Sequence, residues 1–555
     1  MGTCGSPVLA LASQEDLHRK PRPYTPSIWG DFFLKHQPCT PSQLLSMKES
    51  AQMKKEEMTQ IVLDTGASSE VALKLELVDT LQRIGVDYHY KREIDEWLLD
   101  IHRAQLEEEE EEEGCDNALY VVSLRFYLLR KHGYNVSSDV FVKFRDDQGN
   151  FASHDVKCLL ALYDAAHLRT RNEEILDSAM AFTKSRLQSM MKTLEPEMAR
   201  EVEYTLETPS YRRVERVEAR RYISLYEKRA TRNETILEFA KLDYNILQAL
   251  YCEELRAFTV WWKGLQSQAY AKFARDRVTE MHFWMLGVVY EPHQSHSRII
   301  LSKFLKLVSV MDDFCDNYST TEEYDIFISS LERWDKQDAD KLPAFMKAFF
   351  IFILNTINDI VEELKLQKNK HAELVKELFI DMAKRYRAEE KWRDERYIPA
   401  NVKEHLQISV GSSACMHIVN VAFILMGNTT TTEAIEWAFS YPEMITAVCI
   451  VGRICNDIMS HEREQVSKHV ASTVQTCMME YGITVDEANG KLRALIDEAW
   501  MDIVKGCLDQ AHPMELLEKV VNVARVMDNM YKRDDAYTHP HSLKETIISV
   551  YVNSV

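Results

Sequence analysis

A chain of 555 residues exceeds what one apolar core supports, so two or three domains are expected. Apolar residues make up 46%, with 24 Tyr, 21 Phe and 9 Trp, which is ample for globular folding. The net charge of −20, from 67 basic and 87 acidic residues, argues against nucleic acid and anionic membranes as partners; any bound anion must be met by local positive features.

The chain opens MGTCGS, a loose match to the N-myristoylation pattern at Gly2 and Ser6, with Cys4 nearby. It lacks the charged-then-apolar layout of a signal peptide. An irregular, Pro-rich segment fills 1–40. Helical patterns then dominate: ALKLELVDTLQRIG sets Leu at helical spacing and ends at Gly85. Seven consecutive Glu, 107–113, repel at i, i+4 and read as solvated loop or frayed helix end. A basic run, YRRVERVEARRY, precedes RNETILEFAKLDYN, where Asn233 can cap a helix. A boundary near residue 230 divides a helical domain, 41–230, from a second, 231–555. AFFIFIL at 348–354 reads as a buried helix; no stretch approaches membrane-spanning length, and no stable membrane insertion is expected. With 16 Gly, 14 Pro and almost no alternating pattern, the fold is expected to be all-α. Eleven Cys without a CxxC read as reduced thiols of a cytosolic protein, mostly core fillers.

Two acidic clusters carry the chemistry. VSVMDDFCDNY places Asp312 and Asp316 one turn apart on one helix face, with Asp313 turned about 100° away. RICNDIMSHERE places Asn456, Ser460 and Glu464 at i, i+4, i+8, with Asp457 off that face. Two faces of hard oxygen donors suit Mg2+, which leaves coordination positions for water and substrate phosphate. Together they predict a grip on a diphosphate. The alternative is two solvated faces of an acidic protein, but both patterns together arise by chance less than about once in a hundred such chains. Cys315, among hard donors, is not expected to bind metal. Arg453, three residues before Asn456, sits beside the metal face and can meet the diphosphate's charge. GxGxxG, GxxxxGK and GxSxG are absent, HEREQ is not HExxH, and the DxDD of acid-started cyclases is missing.

The order of the two clusters and their separation of 144 residues resemble the plant terpene synthases that ionise isoprenoid diphosphates. FARDRVTEMHFW resembles that family's Arg-x-Arg motif at Arg275 and Arg277. LRFYLLRKHGYNVSSDVFVKF and LYDAAHLRTRNEEILDSA resemble its N-terminal domain. Arg19, Lys20 and Trp29 resemble its tandem-Arg-x8-Trp motif, with Lys for the second Arg. The resemblance implies two helical domains: a C-terminal class I terpenoid synthase-like α-bundle and an N-terminal α-barrel-like relic without catalysis of its own. It implies three Mg2+ ions, with Mn2+ an alternative, and a monomer acting on a small prenyl diphosphate. It implies that Arg275 and Arg277 meet the diphosphate and that Asp313 belongs to the metal motif, here supporting the ligands from behind since it points off their face. Trp284 resembles the pocket Trp, and Tyr537, with Asp535 nearby, a pocket aromatic. Ser412, Ser413 and Ala414 fall at a pocket helix break, with which Gly411 is compatible. The family's Arg-Gly-His after the second metal motif reads Ser467, Lys468, His469 here. Only 18 residues precede Arg19, short for a plastid transit peptide, so the resemblance implies a cytoplasmic sesquiterpene synthase using farnesyl diphosphate. A monoterpene synthase using geranyl diphosphate, a prenyl transferase and a non-catalytic helical scaffold are the rivals.

Overall fold

The computed structural model describes residues 24–107, 116–151, 153–266, 274–317, 319–465 and 470–555. Among these every regular element is a helix; the only strand-like feature is an isolated bridge between Arg145 and Phe151. The first half holds α1 (Phe32–Lys35), α2 (Pro41–Ala67), α3 (Val71–Arg83), α4 (Lys91–Glu107), α5 (Asp116–Lys131), α6 (Val156–Ala166), α7 (Glu174–Met190), α8 (Pro196–Glu207) and α9 (Glu215–Tyr226). Then come α10 (Glu234–Gln266), α11 (Val278–Val288), α12 (Ser295–Asn317), α13 (Thr321–Arg333), α14 (Ala344–Leu366), α15 (Leu374–Glu395), α16 (Val402–Ser412) and α17 (Cys415–Leu425). α18 (Thr432–Phe439), α19 (Glu443–Glu464), α20 (Thr473–Tyr481), α21 (Val485–Leu508), α22 (Met514–Met530) and α23 (Lys544–Tyr551) complete the chain.

Local chemistry sets many of these starts. Thr40 with Gln43, Thr320 with Glu323 and Thr484 with Glu487 close capping boxes at α2, α13 and α21. Asn233 caps α10, its Oδ1 accepting from the N–H groups of Thr235 and Ile236. Residue 230 falls in the turn between α9 and α10. One apolar core nevertheless runs through both halves. α2 lies along α10, and α9 packs on α23. Buried Arg525 of α22 reaches back to the Tyr211 carbonyl (2.7 Å) and to Glu215 (3.1 Å).

By length and composition α14 and the stretch Val402–Leu425 would suffice to cross a membrane. This corrects the sequence-based statement that no stretch approaches that length. The apolar window of α14 is 56% buried inside the molecule and that of the second stretch 83%, and the second is interrupted between α16 and α17. The interruption spans Ser413 and Ala414. Gly411 stays helical, whereas Ala414 takes the left-handed conformation (φ 62°). The described cysteines are free thiols; all but Cys39 are buried. Most of the Glu run, 108–113, lies outside the described residues, as do Gly2, Cys4, Ser6, Arg19, Lys20 and 467–469.

Candidate active site

A cavity of about 520 Å3 opens in the second half, lined from α11, α12, α15, the α16–α17 break, α19, α22 and the loop that follows it. Asp312, Asn456 and Glu464 line it from α12 and α19. One turn from each of the latter two, Ser460 is fully buried and does not itself line the cavity, and its Oγ has no hydrogen-bond partner. Asp316 lies on α12, but its side chain is outside the described residues.

The two off-face aspartates are engaged elsewhere. Asp313, 1% exposed, accepts the Arg275 N–H at 2.8 Å on Oδ2 and lies 2.7 Å from Arg275 Nε through Oδ1. Asp457 accepts the Thr473 N–H at 2.7 Å, tying the start of α20 to α19. It thus occupies one carboxylate oxygen with backbone, and its other faces Arg453 at 3.5 Å.

The arginines separate into two kinds. Arg275 lines the cavity and bonds Asp312 Oδ2 at 2.9 Å, with its guanidinium 4.9 Å from the centre of the Tyr537 ring. Burial works against its charge, but Asp313 and Asp312 more than compensate and hold it protonated. Arg453 also lines the cavity, fixed by the Ser409 carbonyl (3.2 Å), Ser412 Oγ (2.8 Å) and Glu389 (3.2 Å). Here too burial is outweighed, by Glu389, Asp457 and Glu464. Arg277 departs from expectation. It has no exposed surface and does not line the cavity. Its guanidinium donates to the carbonyls of Tyr537 (2.7 Å), Thr538 (3.0 Å), Asp276 (2.8 Å) and Thr25 (2.7 Å). Arg277 is therefore a fastener of the C-terminal loop and the N-terminal segment, because its donors are taken up by backbone oxygens.

The apolar wall is aromatic. Trp284 and Tyr537 have ring centres 5.8 Å apart, and Tyr531 stands edge-on to Trp284 at 6.1 Å. Burial raises both phenol pKa values, so both hydroxyls stay neutral. Met281, Leu305, Val308 and Met527 also line the cavity, and so do Ser412, Ser413 and Ala414 at the helix break. Asp535 is buried and also lines the cavity, where it accepts from Arg463 Nη2 at 2.8 Å and from the Thr538 N–H at 3.0 Å.

Residues 263–502 match the terpene synthase family, metal binding domain, and residues 28–206 match the terpene synthase, N-terminal domain. The chain belongs to the terpene synthase family. It is 50% identical over 550 residues to an (E)-beta-caryophyllene synthase of Zea mays, covering 99% of this chain and 98% of that one. It is 43% identical to a zingiberene synthase of Sorghum bicolor, covering 96% of each. Its structure resembles isoprene synthase from grey poplar (Populus x canescens) in complex with three Mg2+ ions and dimethylallyl-S-thiolodiphosphate. The TM-score is 0.83 and the identity 30%, over 92% of this chain and 97% of that one.

The synthase's donors fit a divalent metal. Among the described residues no three His, Cys, Asp or Glu side chains gather into a closed cation site. The donors instead come as two half-sites on α12 and α19, and the orphaned Ser460 Oγ is a hard oxygen with an unused valence. Half-sites completed by water and phosphate are the usual habit of Mg2+.

Sequence reasoning missed Tyr531, Arg463, Glu389, Tyr24 and Thr25, all of which line the cavity. Tyr531 lies six residues before Tyr537, and Arg463 precedes Glu464, so proximity to the motifs was their only signal.

Proposed function

We propose that this synthase ionises farnesyl diphosphate with Mg2+ and cyclises or rearranges the cation to a sesquiterpene, releasing diphosphate. It is a carbon–oxygen lyase acting on a prenyl diphosphate. The observation that carries this reading is one cavity lined together by oxygen donors, by the guanidinium groups of Arg275, Arg453 and Arg463, and by aromatic rings. The naming of its relatives as caryophyllene, zingiberene and farnesene synthases supports the fifteen-carbon substrate.

Asp312 from α12, and Asn456, Ser460 and Glu464 from α19, would hold the metal, with Asp316 completing the first face. The bound metal supplies Lewis-acid withdrawal of charge from the phosphate oxygens. Three ions, and Mg2+ in preference to Mn2+, belong to this proposal; the poplar enzyme's three Mg2+ support it. Arg275 and Arg453 offer forked, permanently charged donors to the leaving group. Asp313 and Asp457 keep those arginines in place. Trp284, Tyr531 and Tyr537 line the cavity, where an allylic cation set over a ring face would gain about 0.5–2 kcal/mol per ring. Tyr24 and Thr25 close part of the wall and exclude water, which would otherwise capture the cation. We assign the protein to the cytoplasm on its free thiols, without stable membrane insertion on the 83% burial of the Val402–Leu425 window, and as a monomer on the family resemblance alone.

The deciding experiment is gas chromatography of products from the purified protein given Mg2+ and prenyl diphosphates of ten, fifteen and twenty carbons. Sesquiterpenes from the fifteen-carbon substrate, abolished by chelation, are expected. A higher kcat/KM with geranyl diphosphate would make it a monoterpene synthase, and a lengthened prenyl diphosphate product would make it a transferase.

A further inference from the structure

The short segment that carries Arg275 is gripped by α12 at both ends of one residue. The Arg275 N–H donates to Asp313, and the Arg275 carbonyl accepts from Lys306 Nζ. Lys306 Nζ also lies 3.4 Å from the Tyr537 hydroxyl, which is itself hydrogen-bonded to Ser309 Oγ. Lys306, Ser309 and Asp313 are spaced by three and four residues and so share one face of α12.

Lys306 is an unusual occupant of this place. It has no exposed surface, and among the described residues no carboxylate stands within ion-pair distance of it. Its ammonium rests 4.4 Å from the centre of the Trp262 ring, and Trp262 Nε1 donates to Asp276 at 2.9 Å. Burial lowers its pKa to about 8, against the fields of Asp313 and Asp276. A dehydrated ammonium is a poor means of stabilising a fold, since an apolar side chain of the same length would pack there without the desolvation cost. What the ammonium adds is a donor aimed at the two cavity residues, Arg275 and Tyr537.

We infer that Lys306 is a positioning residue, which sets where the Arg275 guanidinium and the Tyr537 ring stand at the diphosphate end of the cavity. The inference rests on the reading of Arg275 as a diphosphate contact. The test is a double-mutant cycle in the full-length protein with Lys306→Met, Arg275→Ala and the pair, read as KM for farnesyl diphosphate, kcat, product ratio and thermal midpoint. Lys306→Met is expected to raise KM about tenfold with the thermal midpoint retained, and to change KM less than about twofold once Arg275 is Ala. Equal effects in both backgrounds, or a wild-type KM in Lys306→Met, would overturn it. Lys306→Gln replaces Met if the Met protein fails to fold; failure of both makes the residue structural and also overturns the inference. A wild-type KM in Arg275→Ala would bring down the reading of Arg275 instead. Lys306 is then judged on Tyr537 alone, by whether Lys306→Met shifts the product ratio as Tyr537→Phe does.

Discussion

Asp312 and Asp313 are adjacent in sequence and differ in surroundings. Asp312 is 29% exposed and turns into the cavity, whereas Asp313 is buried against Arg275. Asp312→Ala is expected to lower kcat/KM by about a hundredfold or more with the thermal midpoint retained. Asp313→Ala leaves a buried guanidinium short of its main partner, at a cost of up to about 3–5 kcal/mol less what Asp312 still supplies. Urea denaturation should therefore separate the two variants; equal stabilities would refute the division of roles. Trp284 has no charge to offer a leaving group, so Trp284→Leu should change the product ratio more than the rate of diphosphate release, and Trp284→Phe should do less because a π face remains. Paired diphosphate and gas-chromatographic assays check this. Loss of diphosphate release in both variants would mean that Trp284 serves closure or folding.

At the scale of elements, α17 and α19 approach closely beside the helix break. A Cβ built at Gly452 would stand 2.6 Å from Cys415 Sγ, and Gly452 lines the cavity. Gly452→Ala should cost about 1–3 kcal/mol by overpacking and shift the product mixture, because Cys415 follows the cavity residue Ala414. Cys415→Ala added to it should restore most of the stability. Denaturation midpoints of the two singles and the double are the measurement, and additive losses would contradict the contact. Nothing in the sequence marked this approach. Gly411 itself stays inside α16, since a glycine is tolerated within a helix, and the left-handed turn falls on Ala414.

Over the whole molecule, the described start of the chain crosses onto the second half. Trp29 Nε1 donates to Glu280 at 2.8 Å, Thr25 accepts from Arg277, and Tyr24 lies beside Arg275. Removing residues 1–30 takes away part of the cavity wall and leaves Glu280 and Arg277 short of partners. The truncated protein should release a larger share of acyclic, water-quenched alcohols, which gas chromatography would detect. An unchanged product profile and rate would exclude a water-excluding role for this segment.

The helical class and the two faces of oxygen donors were legible in the sequence alone, because helix periodicity is local; the diphosphate chemistry came from the resemblance those faces carry. Ligands at i, i+4 and i+8 share a face wherever the helix is placed. The off-face positions of Asp313 and Asp457 followed from the same geometry. The tertiary structure decided what those off-face groups hold, because Arg275 and Asp313 lie 38 residues apart and Trp29 and Glu280 lie 251 apart. It separated Arg275 from Arg277, two like residues in one motif, by the partners that reached each of them. It also brought Tyr531 and Lys306 to the cavity region and buried 56% and 83% of the two stretches apolar enough to cross a membrane. Composition can state that such a helix avoids water; only packing decides what replaces the water.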